Sequence, residues 1–192
     1  MKNITSIMLA LAVSGLSLSV LAEEEFAPYG TATLSKTQYS PQKIALSVMG
    51  TPEETRSLLQ QLVQVLKQYP ASAPKGSQIE VVVVGATVGA FAKENYTSFQ
   101  SQIDEIAEMT KGAEPVKVTL CGNSIKNVGY KYEDMHGFAD VATLGYAELA
   151  HLAQNGFVIL PITIVKAKDA RYFFRPDKKP QAPTTALPPG KM

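Results

Sequence analysis

The chain has 192 residues, of which 45% are hydrophobic and 18% are charged, and its formal net charge at pH 7 is +1. Charges of neither sign form blocks, which argues against nucleic acid and anionic membrane surfaces as partners. A single cysteine excludes a disulfide within the chain, and the length is that of one ordinary domain with a hydrophobic core.

The first residues have the pattern of an export signal. Lys2 supplies a positive charge, residues 4–21 are largely apolar, and Val20-Leu21-Ala22 is a small-residue cleavage site. No later apolar run approaches the roughly 20 residues that cross a bilayer. The sequence therefore predicts a signal peptide at 1–22 that is removed after Ala22, and a periplasmic or secreted protein that is free of the membrane.

Beyond the signal, we expect an extended arm at 23–42 and then five strands. The strands are predicted from short apolar runs at 43–50, 79–86, 116–120, 141–144 and 157–160. The single cysteine, Cys121, directly follows the third of these strands and is followed by Gly122, Asn123 and Ser124.

Helices are predicted between the strands. Thr51, Pro52 and Glu54 form a helix start with a capping box, and we expect this first helix to end at Pro70. Apolar repeats of three or four residues predict further helices over 95–111, 124–128 and 146–154. The inner face of the last helix is predicted to be Leu149, Ala150 and Ala153.

Strands that alternate with helices through short connections form a parallel sheet with helices on both faces. The predicted fold class is therefore α/β: a single doubly wound domain at 43–174, with a mostly parallel five-stranded sheet and an extra edge segment within 162–174. The residues at 175–192 are rich in proline and polar residues, which predicts a disordered tail.

Ligands of such sheets bind outside the carboxyl ends of the strands. Three loops of this chain are expected to meet there, after the first, second and third strands. The candidate binding residues are Gly50, Thr51, Gly85, Gly122, Asn123 and Ser124.

Cys121 is the candidate catalytic residue, because it lies between the third strand and a helix that is predicted to begin at Asn123 or Ser124. The N–H groups and dipole of that helix would favour the thiolate and hold the pKa of Cys121 modestly below its ordinary value of about 8.5. The alternative is a small buried core residue, since free cysteine is often buried.

Other chemistries have weaker support. Gly85 and Gly89 do not form a dinucleotide fingerprint, and no cysteine or histidine pair has metal-ligand spacing, so we expect neither a cofactor nor a metal. His136 is either a base that reaches the thiol or, as we favour, a residue of a surface loop. His151 is expected to face solvent or to be satisfied locally. No Gly-x-Ser-x-Gly elbow supports a serine hydrolase.

Three segments carry a family resemblance: Lys117 to Tyr130 (KVTLCGNSIKNVGY), Glu133-Asp134-Met135, and Gly145 to Phe157 (GYAELAHLAQNGF). The chain resembles the DsrE/DsrF-like family over roughly 43–161. The resemblance implies a small α/β domain, assembly into trimers or hexamers, and a cysteine that carries sulfur as a persulfide in a sulfur relay.

Cys121 falls at the family cysteine. Two features depart from the family. Relatives often have a His-Gly pair at the end of the second strand, where this chain has Val84-Gly85, and the known sulfur-relay partners are cytoplasmic, whereas this chain has a predicted signal.

Two hypotheses follow. In the first, the protein is an exported DsrE-like homo-oligomer that carries or binds sulfur species through Cys121 and exchanges them with a sulfur donor and acceptor. In the second, it is a non-catalytic oligomeric periplasmic module that binds a small ligand or a protein in the loop cleft. The sequence leaves open whether it is an enzyme.

Overall fold

The computed structural model of the chain describes residues 32–112 and 116–164. The predicted signal at 1–22, the tail at 175–192, the first part of the arm and most of the segment at 162–174 lie outside these residues. The described part of the arm, 32–42, contains no helix or strand. The chain divides between Thr37 and Gln38, and the fold below is that of the second unit.

Strands and helices alternate along the described chain. The strands are β1 (Lys43–Gly50), β2 (Gln78–Gly85), β3 (Lys117–Cys121), β4 (Asp140–Ala142) and β5 (Val158–Pro161). The α-helices are α1 (Thr55–Ser72), α2 (Tyr96–Met109), α3 (Gly122–Asn127) and α4 (Gly145–Gln154). Short 3₁₀ helices occupy Ala86–Phe91, Lys93–Asn95 and Tyr132–Asp134.

The strands form one sheet in the order β4-β3-β2-β1-β5, and every pairing is parallel. The predicted α/β class with a parallel five-stranded sheet is confirmed. The strand order changes direction between β1 and β5, so the topological switch point lies at the carboxyl end of β1. Cys121, at the end of β3, is two strands away from that point.

Alternate residues of the strands face two separate apolar clusters, which explains the uninterrupted valine run of β2. Val81 and Val83 face a large cluster with α1 and α2, whereas Val82 and Val84 face a smaller one with α4. Cys121 belongs to the smaller cluster. Its other members are Ala45, Leu149, Leu152 and Phe157. Helices therefore cover both faces of the sheet, and the cysteine lies on the α4 side.

The two reciprocal bonds of the predicted capping box form, but Thr51 is not the N-cap residue, because α1 begins at Thr55 with Glu54 as its N-cap. The prediction that this helix ends at Pro70 is also wrong. The backbone N–H of Glu54 donates to Thr51 Oγ1 at 3.4 Å, and the N–H of Thr51 donates to Glu54 Oε2 at 3.0 Å. Helix α1 then continues to Ser72, because the polar groups beyond the proline still find partners in the last turn. Ser72 Oγ donates to the carbonyl of Gln68 at 2.9 Å, so proline near this end costs little.

The inner face of α4 also differs from the prediction. Leu149 is buried as expected, but Ala150 and Ala153 are exposed. Gly145 and Leu152 complete the buried face. The helix begins one residue earlier than predicted, and this shift places Gly145 against the sheet.

Other details of the elements also differ from the prediction. Helix α3 begins at Gly122 instead of at Asn123 or Ser124, so Cys121 itself is its N-cap residue. The 3₁₀ turns over 86–95 were not predicted, because their apolar residues lack the 3.6-residue period of an α-helix.

Candidate functional site

Cys121 lies at the junction that the sequence indicated, but its side chain is covered. It is the last residue of β3, with φ −74° and ψ 113°, and only 3% of its surface is exposed. The parallel strand directs the side chain toward α4, and the chain then turns at once into α3. The thiol is therefore placed at the carboxyl edge of the sheet, beneath the first turn of α4.

A hydroxyl and three backbone N–H groups influence the pKa of the Cys121 thiol. Burial raises the pKa of Cys121, but the Ser124 hydroxyl and the backbone N–H groups of Gly145, Ser124 and Asn123 lower it, and the net pKa lies below its ordinary value. These donors come from two elements, the start of α3 and the start of α4. The net effect of these groups favours the thiolate over the thiol.

Ser124 connects the sulfur to the end of β2. Its Oγ accepts a hydrogen bond from the backbone N–H of Gly85 at 2.9 Å, which leaves its own proton free to point at Cys121. Gly85 has φ +67°, a conformation that other residues rarely adopt. The loops after β2 and β3 therefore meet, as predicted.

Val84 occupies the place next to this contact. Its side chain is 2% exposed and lies against Gly145, so the group at this position is apolar and fills the space beside the thiol. The resemblance places a histidine of relatives here. In this chain the donors at Cys121 supply hydrogen bonds, and Val84 supplies no proton acceptor.

Gly145 is a site residue that sequence reasoning missed. A Cβ at this position would overlap Val84 Cγ1 and would lie 3.0 Å from Cys121 Cβ and 3.5 Å from Cys121 Sγ. Only glycine allows the backbone to approach the sulfur this closely. A glycine at the first position of a helix, where it is a poor helix former, was the available signal.

Gly122 and Asn123 fix the turn after Cys121. A Cβ on Gly122 would lie 2.9 Å from the hydroxyl of Tyr132 and 3.0 Å from the carbonyl of Ala142, and the N–H of Asn123 donates to the carbonyl of Thr143 at 3.2 Å. The loop after β4 thus supports the start of α3.

Gly50 and Thr51 lie at the end of β1, beside the switch point and next to the end of β2, where a Cβ on Gly85 would lie 3.9 Å from the carbonyl oxygen of Gly50. Gly50 pairs in register with Gly85, but a Cβ on it would meet Leu58 and Glu54 of the α1 side. Gly85 therefore lies between two sets of predicted binding residues: it bonds to Ser124 on the Cys121 side and pairs with Gly50 on the β1 side.

The structure does not bring His136 to the thiol. Its ring stacks on Phe138 at a centroid distance of 5.9 Å and meets the edge of Tyr96 at 5.5 Å. Burial and the charge of Lys93 lower the pKa of His136, and Asp104 opposes them. His151 is exposed on α4. Neither histidine is among the donors at Cys121.

Three surface grooves lie along α1 and α2, with volumes of about 440, 500 and 620 Å³. None of them is lined by Cys121 or its donors. Among residues 32–112 and 116–164, no helix is long and apolar enough to cross a bilayer, and no cluster of three or more His, Cys, Asp or Glu side chains could hold a metal ion.

Comparison with known proteins gives one family. The sequence profile described as "DsrE/DsrF-like family" matches residues 42–161, which include every strand and helix named above. No curated protein matches the chain.

Solved structures with a similar fold have low sequence identity. A protein of unknown function, MTH1491 from Methanobacterium thermoautotrophicum, is 13% identical and aligns over 64% of this chain and 99% of its own, with a TM-score of 0.48. The ychN protein from E. coli is 17% identical over 64% and 99%, with a TM-score of 0.45. A conserved protein of unknown function, BT1422 from Bacteroides thetaiotaomicron, is 17% identical over 62% and 94%, with a TM-score of 0.42.

Proposed function

The chain belongs to the DsrE/DsrF-like family, and from that premise we propose that it carries sulfur as a persulfide on Cys121. The observation that supports this function best is the position of Cys121 beneath Gly145, where an added Cβ would lie 3.5 Å from Cys121 Sγ, together with the lowered pKa of this thiol. A thiolate is the nucleophile in sulfur exchange, and the lowered pKa favours the thiolate.

The proposed exchange needs no outside oxidant. The Cys121 thiolate attacks the terminal sulfur of a persulfide donor, the S–S bond of the donor breaks, and the donor leaves as a thiolate while Cys121 becomes a persulfide. An acceptor thiolate then reverses the sequence. The N–H groups of Asn123, Ser124 and Gly145 would stabilise the anionic sulfur in both states.

For this function, a sulfur donor must be able to reach the Cys121 thiol. Cys121 is 3% exposed, and Gly145 lies directly on it. Exchange with a donor therefore requires the first turn of α4 to move away from β3. This proposal treats the protein as a carrier that opens locally, with a transfer rate set by that opening.

The test is an intact-mass measurement of the purified protein before and after incubation with inorganic polysulfide, followed by thiol treatment. We expect the addition of one sulfur atom that the thiol removes, and no addition in Cys121→Ser. A wild-type protein that gains no sulfur under conditions that load a reference thiol would contradict the carrier function.

A second function is favoured by the burial of the thiol. If Cys121 only packs in the core, the protein is a non-catalytic module that binds a small ligand or a protein partner at the loops around Gly50, Thr51 and Gly85. Alkylation separates the two functions: a carrier thiol reacts slowly in the folded protein through opening, whereas a core thiol reacts only after global unfolding.

We further propose that the protein is exported and forms a homo-oligomer, a trimer or a hexamer. Exposed apolar side chains that a subunit contact could cover are present on β5, where Val158 is 59% exposed and Leu160 is 42% exposed. Light scattering tests the assembly, and a monomer at micromolar concentration would refute it. Amino-terminal sequencing from the native host tests cleavage after Ala22, and a chain that still begins at Met1 would refute export.

A further inference from the structure

The first turn of α4 crosses one row of side chains on the sheet. Met49 of β1 is in register with Val84 of β2, and Val83 pairs with Leu120 immediately before Cys121. Met49, Val84 and Cys121 therefore face α4 side by side. Gly145 lies against Val84 and Cys121, and the side chain of the next residue, Tyr146, extends to Met49.

The Tyr146 hydroxyl donates a hydrogen bond to Met49 Sδ at 3.2 Å. The bond joins α4 to β1 on the far side of Val84 from the thiol. Both side chains are more than half exposed, Tyr146 at 58% and Met49 at 55%. The first turn of α4, which lies over Cys121, is therefore linked to β1 by a hydrogen bond that is accessible to solvent.

Met49 also touches the donor network of the thiol. Its Cγ lies 3.5 Å from the point where a Cβ on Gly85 would be, and the N–H of Gly85 donates to Ser124 Oγ. A change in the Met49 side chain can therefore alter two contacts near Cys121. One is the hydrogen bond of Tyr146 on α4, and the other is the bond between Gly85 and Ser124.

The exposure of Met49 distinguishes it from the other methionines of the described residues. Met135 is 4% exposed, and Met109 is partly buried against the large cluster. Oxidation of a thioether to the sulfoxide depends on solvent access. Met49 is accordingly the methionine of the described chain that an oxidant reaches first.

We propose that Met49 is a peroxide-sensitive modification site whose oxidation releases the first turn of α4 and exposes Cys121. The thioether sulfur loses two electrons and gains the oxygen of a hydroperoxide, which is reduced to water or an alcohol. The new oxygen becomes the acceptor of the Tyr146 hydroxyl in place of Sδ, and the larger, polar side chain shifts Tyr146 from its present position and the first turn of α4 with it. The idea rests on the proposed function only in taking Cys121 as the thiol that is used.

The experiment compares the alkylation rate of Cys121 in the folded full-length protein before and after treatment with hydrogen peroxide and then a thiol reductant, which restores a reversibly oxidised cysteine. Peptide mapping is expected to place the sulfoxide on Met49. We expect the alkylation rate to rise by about two- to tenfold, the factor that corresponds to the free energy of one neutral hydrogen bond. Methionine sulfoxide reductase should return it to the starting value.

Two variants make the result specific. Met49→Leu conserves volume but cannot be oxidised, so its alkylation rate should not respond to peroxide. Tyr146→Phe lacks the hydroxyl and should show the raised rate without peroxide. Sulfoxide at Met135 before Met49, an unchanged rate with Met49 oxidised, or an equal rise in Met49→Leu would overturn the proposal.

The same samples separate this proposal from the carrier function. Sulfur loading is measured by mass and alkylation by rate, so failure of loading with a rate that still responds to Met49 oxidation would refute the carrier alone and support the modification site.

Discussion

Replacing Ser124 by alanine removes one of the donors at Cys121. The Ser124 hydroxyl is the strongest of the groups that lower the pKa of this thiol, ahead of the backbone N–H groups. Burial, which raises the pKa, is unchanged by the substitution. We therefore expect the pKa of Cys121 to rise in Ser124→Ala.

The magnitude follows from the value of a hydrogen bond to a charged group. Such a bond contributes about 1.5–3 kcal/mol, and one pKa unit corresponds to about 1.4 kcal/mol, so the pKa of Cys121 should rise by about 1 to 2. The variant also leaves the partly buried N–H of Gly85 without its acceptor, which should lower the free energy of unfolding by about 1 kcal/mol.

The assay is the ultraviolet absorbance of the thiolate titrated against pH, with Cys121→Ser as the blank, since it reports ionisation without requiring a reagent to reach the sulfur. Ser98→Ala, on the exposed side of α2, is the matched control and should leave the titration unchanged. Ser124→Thr retains a hydroxyl and should titrate close to the wild type. An unchanged titration in Ser124→Ala would refute the assigned role of this hydroxyl.

Three further outcomes are expected. Gly145→Ala places a methyl group against Val84 and should lower the free energy of unfolding, measured in urea, by about 1–3 kcal/mol. In the control Gly137→Ala the added methyl meets nothing within 4 Å, and the free energy of unfolding should change by less than about 1 kcal/mol. Equal losses in the two variants would contradict the close approach of Gly145 to Val84. Burial lowers the pKa of His136 in the folded protein, so the unfolded chain takes up this proton at a higher pH. The free energy of unfolding should therefore fall as the pH decreases through about 6.5, the ordinary pKa of histidine. In His136→Gln this dependence of the unfolding free energy on pH should become weaker, and an unchanged dependence would refute the prediction. Pro70→Ala should raise the free energy of unfolding in urea by about 1 kcal/mol, less than the roughly 3 kcal/mol expected for a proline in the middle of a helix. A lower free energy of unfolding would show that Pro70 is needed in the last turn of α1.

The architecture was predictable because its determinants are local and repeated. The valine run of β2 and the capping box of Thr51 and Glu54 each specify one conformation over several residues. The errors occurred where the pattern is short. The alanines Ala150 and Ala153 fit the apolar period as well as Leu152 does, and only the packing against the sheet decides which of them is buried.

The candidate site was predictable in part. The sequence identified three of its residues, because each lies at the end of a strand or in the turn that follows it: Gly85, Cys121 and Ser124. Gly145 was missed because it lies 24 positions from Cys121 and meets it only through the return of α4 to the sheet. The Tyr146–Met49 bond was missed for the same reason, since its two residues are 97 positions apart.

Burial by itself does not decide whether Cys121 is an inert core residue. An inert buried cysteine loses the hydration of its thiolate, so its pKa is raised. At Cys121 burial acts in that direction, but the donors on α3 and α4 outweigh it, and the pKa is lowered. Packing against Val84 by itself requires a glycine at position 145, because a Cβ there would overlap Val84 Cγ1. The glycine therefore fits both functions, and the lowered pKa is what favours a reactive thiol. A lowered pKa favours the thiolate, and in the proposed carrier a movement of α4 would determine when this thiolate reacts.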